Sequence, residues 1–113
     1  MKGIGVDIVE LCRIRTVKKK GKFVDKFLSE KEKKVYATLK NEQRQLEFLA
    51  SRWAVKEAIY KAAPDLCKGK KFTDFSILNN ESGAPYLDEP AATGIMITLS
   101  HSENYVVAFV VLM

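Results

Sequence analysis

The pattern of apolar and polar positions predicts a strand at the start of the chain and four more strands in its last third. Ile4, Val6 and Ile8 occupy every second position of residues 2–11, which is the period of a pleated strand. Further strands are predicted over residues 72–78, 85–87, 95–99 and 105–112. The β-branched run 105–112 has the composition of a central strand covered on both faces.

The segment between these strands has helical spacing. Residues 23–28 predict one or two short turns, and Ser29 with Glu32 has the form of a capping box that opens a helix through Leu39. Asn41 is the predicted cap of the longest helix, residues 42–62, which Pro64 ends. The order of elements predicts one α+β domain over residues 1–113, with an antiparallel-rich sheet packed against a long central helix.

The long helix carries the most informative pattern. Its predicted buried stripe consists of small and apolar residues three and four apart: Leu46, Leu49, Ala50, Trp53, Ala54, Ala58 and Ala62. Glu57 and Lys61 follow Trp53 at four-residue steps, so both charges lie on or beside this stripe. A surface ion pair worth roughly 0.2–0.5 kcal/mol is the alternative, but the position on the apolar stripe favours a functional role.

Composition limits the classes of protein that the chain can belong to. Its 113 residues are 47% hydrophobic and 29% charged, which excludes a disordered chain and a coiled coil. The longest apolar run, residues 105–113, is too short for a transmembrane helix, and the first residues do not resemble a signal peptide. We therefore expect a cytoplasmic protein with no membrane partner. Two cysteines without a C-x-x-C pattern, and a single histidine, predict free thiols and argue against a zinc site.

The positive charge is concentrated in one segment. Residues 13–34 contain ten Lys/Arg and three acids, a local charge of +7, whereas the rest of the chain has a charge of −2. A basic segment of this kind suits an anionic partner: nucleic acid, an acidic protein or a phosphorylated small molecule. A solvated lysine-rich face kept for solubility is the alternative.

Two carboxylates and one histidine are the main candidates for chemistry. Asp7 on the first strand and Glu57 on the long helix are hard oxygen ligands, and magnesium commonly uses one or two of these together with water and phosphates. His101 lies between two serines at a strand end, where either a turn or a phosphate contact fits. The chain contains neither a Walker loop nor a G-x-G-x-x-G motif.

Three segments together resemble the small, single-domain holo-[acyl-carrier-protein] synthases. Residues 5–14 resemble the family's opening G-[IV]-D-I-x-x-x-x-R-[IF], and residues 48–62 its central F-L-A-x-R-[FW]-A-x-K-E-A-x-x-K-A. Residues 83–86 and 99–102 match its G-x-P and [ST]-H-[ST] elements. The chain departs from the family's short glycine-rich loop at residues 63–69. Larger relatives have a third metal ligand where this chain has Val9.

The resemblance implies a 4′-phosphopantetheinyl transferase. Such an enzyme transfers 4′-phosphopantetheine from coenzyme A to a serine of acyl carrier protein and releases adenosine 3′,5′-bisphosphate, in fatty acid biosynthesis. By matching positions, Asp7 and Glu57 would hold Mg²⁺ with the coenzyme A pyrophosphate. Lys61 would stabilise the leaving group, and Glu57 or a water on the metal would be the base.

The resemblance also implies binding residues and an assembly. Coenzyme A phosphates would contact Lys56, Lys61, Ser100, His101 and Ser102, and the acidic carrier protein would dock on Arg13, Arg44, Phe48 and Arg52. Family members of this size form homotrimers with active sites between subunits. We weigh two other hypotheses: a non-enzymatic basic module that binds nucleic acid through residues 13–34, and a structural trimer without catalysis. Basic and aromatic residues are not interleaved as nucleic-acid stacking needs, apart from Phe23 and Phe27, so the transferase is preferred.

Overall fold

A three-stranded antiparallel sheet packs on one long helix, and a separate two-stranded sheet extends the domain. The computed structural model describes residues 1–19 and 21–113; Lys20, one of the basic residues counted above, lies outside the described residues. The elements in chain order are β1 (Gly3–Glu10), α1 (Leu11–Lys18), α2 (Phe23–Phe27), α3 (Glu30–Thr38), α4 (Glu42–Ala62), a 3₁₀ turn (Phe72–Asp74), β2 (Ser76–Asn79), β3 (Pro85–Glu89), β4 (Ile95–His101) and β5 (Tyr105–Leu112).

The strand order is β1-β5-β4 in the larger sheet and β2-β3 in the smaller one, with antiparallel pairing throughout. The predicted α+β class and the antiparallel sheet on a long central helix are therefore confirmed. None of the helices in the described part of the chain is long and apolar enough to cross a membrane.

Helix α4 has the predicted bounds because its end signals are local. The Asn41 side chain accepts a hydrogen bond from the Arg44 backbone N–H at 3.1 Å, and the helix ends at Ala62, two residues before Pro64. The predicted stripe is buried except for Trp53, which is half-buried. The helix is also buried on a second side, where Phe48, Arg52 and Lys56 face the rest of the domain.

Strand β1 turns its small and polar side toward α4. Gly5 and Val9 are buried, whereas Ile4, Val6 and Ile8 point outward and are at least half exposed. The close approach requires glycine, because a Cβ at Gly5 would lie 2.1 Å from the carbonyl oxygen of Ala58. The contact of Gly5 with α4 fixes where the next inward residue, Asp7, lies against the helix.

Four local predictions differ from the structure. Residues 11–18 form α1, which the sequence reading did not anticipate; its inward residues are Leu11 and Ile14, three apart. The predicted strand 72–78 begins only at Ser76, after the 3₁₀ turn. Strands β3 and β4 run two residues further than expected. Strand β5 is central, but only one face is covered, since Tyr105 and Phe109 are exposed.

Candidate functional site

Strand β1 and helix α4 bring the two predicted carboxylates to one cavity. Asp7 and Glu57 are both half-buried, and both line a cavity of about 460 Å³ together with Arg13, Phe23 and Trp53. Burial raises the pKa of Glu57, the nearby Asp7 carboxylate raises it further, and Lys61 opposes the change. The carboxylate of Asp7 is therefore close enough to Glu57 to act on its charge across the β1–α4 contact.

Lys61 extends from the last turn of α4 toward the same carboxylates. Its Nζ donates a hydrogen bond to the Val6 carbonyl oxygen at 2.8 Å and lies 3.4 Å from Asp7 Oδ1. The Lys61 side chain is 52% exposed, so its ammonium remains open to an incoming anion. Asp7, Glu57 and Lys61 thus form one cluster, with an exposed cation beside two half-buried carboxylates.

The donor set of this cluster suits magnesium. Among the residues that the structure describes, no group of three or more His, Cys, Asp and Glu side chains is arranged to hold a metal. Magnesium does not need such a group, because one or two carboxylates with water and substrate phosphates complete its octahedron. Two coupled carboxylates in an open cavity therefore fit an ion that is held jointly by protein and substrate.

A second cavity contains most of the other predicted residues. A groove of about 350 Å³ is lined by Arg44, Phe48, Ser100 and His101, among others. The sequence reading had assigned Arg44 and Phe48 to the carrier protein, and Ser100 and His101 to coenzyme A, whereas the structure brings all four into one groove. Ser102 is exposed beyond its rim, where its hydroxyl accepts a hydrogen bond from the Asn104 backbone N–H at 3.4 Å.

Glu47 and Asn79 are polar groove residues that the sequence reading missed. Glu47 lies with Oε2 3.6 Å from His101 Nδ1, and Asn79 at the end of β2 lines the opposite wall. Glu47 follows Gln43 by four residues, and the two side chains are hydrogen-bonded at 3.2 Å. That helical spacing is the only local signal, and it is typical of any exposed helix face.

Arg52 does not fit the predicted docking role. Its side chain lies beneath the groove, and the residue is only 3% exposed. Nε donates to the Ile77 carbonyl at 3.0 Å, the two terminal nitrogens donate to Ser51 Oγ and Asn79 Oδ1, and the guanidinium lies 4.2 Å from the centre of the Phe48 ring. Burial lowers the pKa of Arg52 to about 10, so it stays charged at neutral pH and adds positive potential to the groove.

Lys56 does not fit the predicted phosphate contact either. It is fully buried, and Nζ pairs with Glu32 Oε1 at 2.6 Å. The same nitrogen donates to the carbonyl oxygens of Phe27 and Phe72. All three N–H groups of the ammonium are therefore used inside the protein, and none is left for a ligand.

The carboxylate cavity and the groove lie on different sides of α4. A helix turns by about 100° per residue, so Phe48 and Glu57, nine positions apart, project in nearly opposite directions, about 180° apart. Arg13, on α1, is exposed and lines the carboxylate cavity rather than the groove. The structure thus has two separate cavities, one with the carboxylates and one with Arg44, Ser100 and His101.

The fold and the carboxylate–lysine cluster define a transferase class, and the comparisons agree with it. The family model of the 4′-phosphopantetheinyl transferase superfamily matches residues 3–110. Curated relatives at 43% identity from Acholeplasma laidlawii and 39% from Staphylococcus saprophyticus, both holo-[acyl-carrier-protein] synthases, align with 96% and 97% of this chain and 93% and 96% of theirs.

A solved structure from Bacillus anthracis, a holo-(acyl-carrier-protein) synthase in complex with CoA (3′,5′-ADP), has a TM-score of 0.80 at 37% identity. The match covers 98% of this chain and 95% of that one. The chain therefore belongs to the holo-[acyl-carrier-protein] synthase family of phosphopantetheinyl transferases, and it is an enzyme.

Proposed function

We propose that this enzyme transfers 4′-phosphopantetheine from coenzyme A to a serine of apo acyl carrier protein, with Mg²⁺, and releases adenosine 3′,5′-bisphosphate in fatty acid biosynthesis. The observation that carries the proposal is the cluster of Asp7, Glu57 and Lys61 at the β1–α4 contact. The printed names of the relatives supply the carrier protein, and that of the Bacillus anthracis structure supplies coenzyme A. The predicted cytoplasmic location stays a prediction.

Asp7 and Glu57 are the residues that would hold magnesium. When bound, the ion would neutralise the pyrophosphate of coenzyme A and orient it for attack. The protein contributes a cavity in which both carboxylates are fixed by the packing of β1 on α4. Removing either carboxylate should therefore abolish metal-dependent transfer without disturbing the fold.

Glu57 and Lys61 are suited to move the protons of the reaction. The carrier serine oxygen forms a bond to the phosphorus that bears the pantetheine, and the bridging P–O bond to the adenosine bisphosphate breaks. Glu57, or a water held beside it at the metal site, is the group placed to accept the serine proton. Lys61 is exposed and charged, so it stabilises the developing negative charge on the leaving phosphate and can return a proton to it.

The groove is suited to the nucleotide end of coenzyme A. Arg44 and the buried charge of Arg52 outnumber the one carboxylate of the groove, Glu47, and Ser100 and His101 add hydrogen-bonding groups. Because this groove and the carboxylates lie on different sides of α4, we propose that one coenzyme A spans the carboxylates of one copy and the groove of a neighbouring copy. Ser102, at the rim, would assist, as the resemblance implies.

The outward face of the larger sheet supports an interface between copies, and the resemblance implies that the assembly is a homotrimer. It presents a row of apolar side chains that β1, β4 and β5 leave exposed, including Ile8 at 62%, Met96 at 60% and Phe109 at 36%. A contiguous apolar face of this kind marks an interface.

Exposed residues in the described part of the basic segment, Arg13 foremost, lie beside the carboxylate cavity and would steer the acidic carrier protein to it.

Intact-mass analysis of an apo carrier protein tests the reaction. Incubation with this enzyme, coenzyme A and Mg²⁺ should add one phosphopantetheine, and a chelator should prevent it. The transfer should be lost in Glu57→Gln, Asp7→Ala and Lys61→Met. The control is Lys68→Met, which also removes one exposed positive charge and should retain the transfer. Full transfer by Glu57→Gln or Asp7→Ala would refute the metal assignment.

Subunit complementation tests the shared site. Glu57→Gln removes one half-site and His101→Ala removes the other, so each variant alone should be weak. Subunits of the two variants, unfolded together and refolded, should regain activity because some interfaces then combine two intact halves. Failure to regain activity, with mixed oligomers demonstrated by native mass spectrometry, would show that each protomer works alone.

A further inference from the structure

The buried ion pair of Glu32 and Lys56 has no part in the proposed chemistry. Both side chains are 0% exposed, and Glu32 Oε1 lies 2.6 Å from Lys56 Nζ. Among the described residues this is the only ion pair with both side chains fully buried. Lys56 is the immediate neighbour of Glu57 on α4 but projects about 100° away from it, so the two residues face different surroundings.

The pair joins five parts of the fold. Glu32 Oε1 accepts from the Ser29 backbone N–H at 2.9 Å, and Oε2 accepts from the Ile77 backbone N–H at 2.8 Å. Lys56 donates to the carbonyl oxygens of Phe27 and Phe72. The end of α2, the start of α3, the 3₁₀ turn and β2 are thereby all tied to α4.

The two carbonyls held by Lys56 belong to residues that flank Trp53. The ring of Phe27 lies 5.6 Å from that of Trp53, and the ring of Phe72 lies 5.0 Å from it, both edge-on. Phe23, on the same short helix as Phe27, lies 5.7 Å from Trp53. Trp53 and Phe23 in turn form a wall of the cavity that contains Glu57.

We propose that Glu32 and Lys56 are positioning residues, which fix Trp53 and Phe23 as the aromatic wall of the carboxylate cavity. They touch no substrate and act through the backbone of Phe27 and Phe72. The expected effect on kinetics rests on the proposed transferase function, because a displaced aromatic wall would weaken the binding of that enzyme's substrate.

The hydrogen bonds of Lys56 are directional and lie away from solvent. Helix α2 has only five residues and cannot hold its own position by length. A hydrogen bond to a charged group inside the protein is strong and geometrically strict, because no water competes for it. Both charges are fully buried and lie 2.6 Å apart, so removing one partner leaves the other as an unpaired buried charge.

Trp53 is the single tryptophan of the chain, so it reports on the wall directly. We would measure acrylamide quenching and emission of Trp53 in native buffer for Lys56→Met, for Glu32→Gln and for the double change Glu32→Met with Lys56→Met. The double variant leaves no unpaired buried charge. Val55→Ala, fully buried on the same helix, is the control that loses stability without touching the pair.

We expect acrylamide to quench Trp53 more strongly in all three pair variants than in the wild type. Quenching in Val55→Ala should equal that of the wild type. In transfer assays kcat/KM should fall roughly tenfold or more, chiefly through KM. Pair variants that are no more quenched than the control and keep the wild-type KM would overturn the proposal, and Glu32→Gln, the mildest change, decides if Lys56→Met does not fold. Absence of transfer by the wild type would refute the proposed function alone, and the quenching would still decide the role of the pair.

Discussion

Replacing Gly5 by alanine tests the contact on which the site is built. A Cβ at this position would lie 2.1 Å from the Ala58 carbonyl oxygen and 3.0 Å from the Ala62 backbone nitrogen. Both are helix backbone atoms, so no side chain can rotate away. Ordinary contact requires a separation of at least 3.4 Å, so β1 must move from α4 by about 1.3 Å.

The cost follows from that displacement. A gap of roughly 0.5–1 Å already forfeits a quarter to a half of the contact energy of the atoms concerned, and overpacking typically costs about 1–3 kcal/mol, occasionally more. Because rigid backbone is displaced, we expect a loss of about 3 kcal/mol or more. For a domain of 113 residues, whose unfolding entropy is about 0.24 kcal/mol/K, that lowers Tm by roughly 13 °C or more.

Urea denaturation followed by Trp53 fluorescence measures the loss. Gly69→Ala is the matched control: a Cβ there meets nothing within 4 Å, but φ is +73°, so only left-handed strain of about 1–2 kcal/mol is expected. If Gly5→Ala unfolds at the same urea concentration as Gly69→Ala, the close packing of β1 on α4 is not what holds the sheet. In the folded population of Gly5→Ala, binding of Mn²⁺ used in place of Mg²⁺ should also weaken, because Asp7 moves with the strand.

Three more outcomes follow from the site. Burial and Asp7 raise the pKa of Glu57, so its ionised form opposes folding above that pKa. Glu57→Gln should therefore resist urea at least as well as the wild type at mildly alkaline pH. This difference in urea resistance should shrink as the pH falls through the raised pKa of Glu57. Ellman's reagent should titrate one thiol in the native protein, since Cys12 is exposed whereas Cys67 is buried and its pKa is raised by that burial; two rapid native thiols would contradict this. Arg13→Ala should raise the KM for the carrier protein and flatten its dependence on salt, and an unchanged salt dependence would remove Arg13 from the docking surface.

The elements with local signals could be predicted, and those without them could not. Helix α4 has a cap at Asn41, a continuous apolar period and a stop at Pro64, all within its own sequence. Helix α1 begins at Leu11, directly after β1 ends at Glu10, with no capping side chain, so no local residue marks the change from strand to helix.

The alternation in β1 identified two faces but not which one is buried. Ile4, Val6 and Ile8 have the composition of a core face, yet they point outward. Gly5 faces inward because the alanines of α4 approach to backbone contact, and only a side without a Cβ can accept them. Apolar residues on the outer face make sense if another copy covers them, which the sequence of one protomer does not reveal.

The segment W-x-x-K-E-x-x-x-K contributes both to the carboxylate cavity and to the buried ion pair, and the sequence alone does not separate these two roles. On a helix each step of four residues rotates by about 40°, so Trp53, Glu57 and Lys61 span about 80°, whereas Lys56 is rotated by about 100° from Glu57. Trp53 and Glu57 line the carboxylate cavity and Lys61 reaches Asp7 beside it, whereas Lys56 is fully buried on another side of the helix. Its partner Glu32 is 24 positions away, so the charge that makes its burial tolerable is found only in the folded chain. A charge beside a catalytic residue in sequence is thus evidence of chemistry only when the helical rotation directs both side chains into the same cavity.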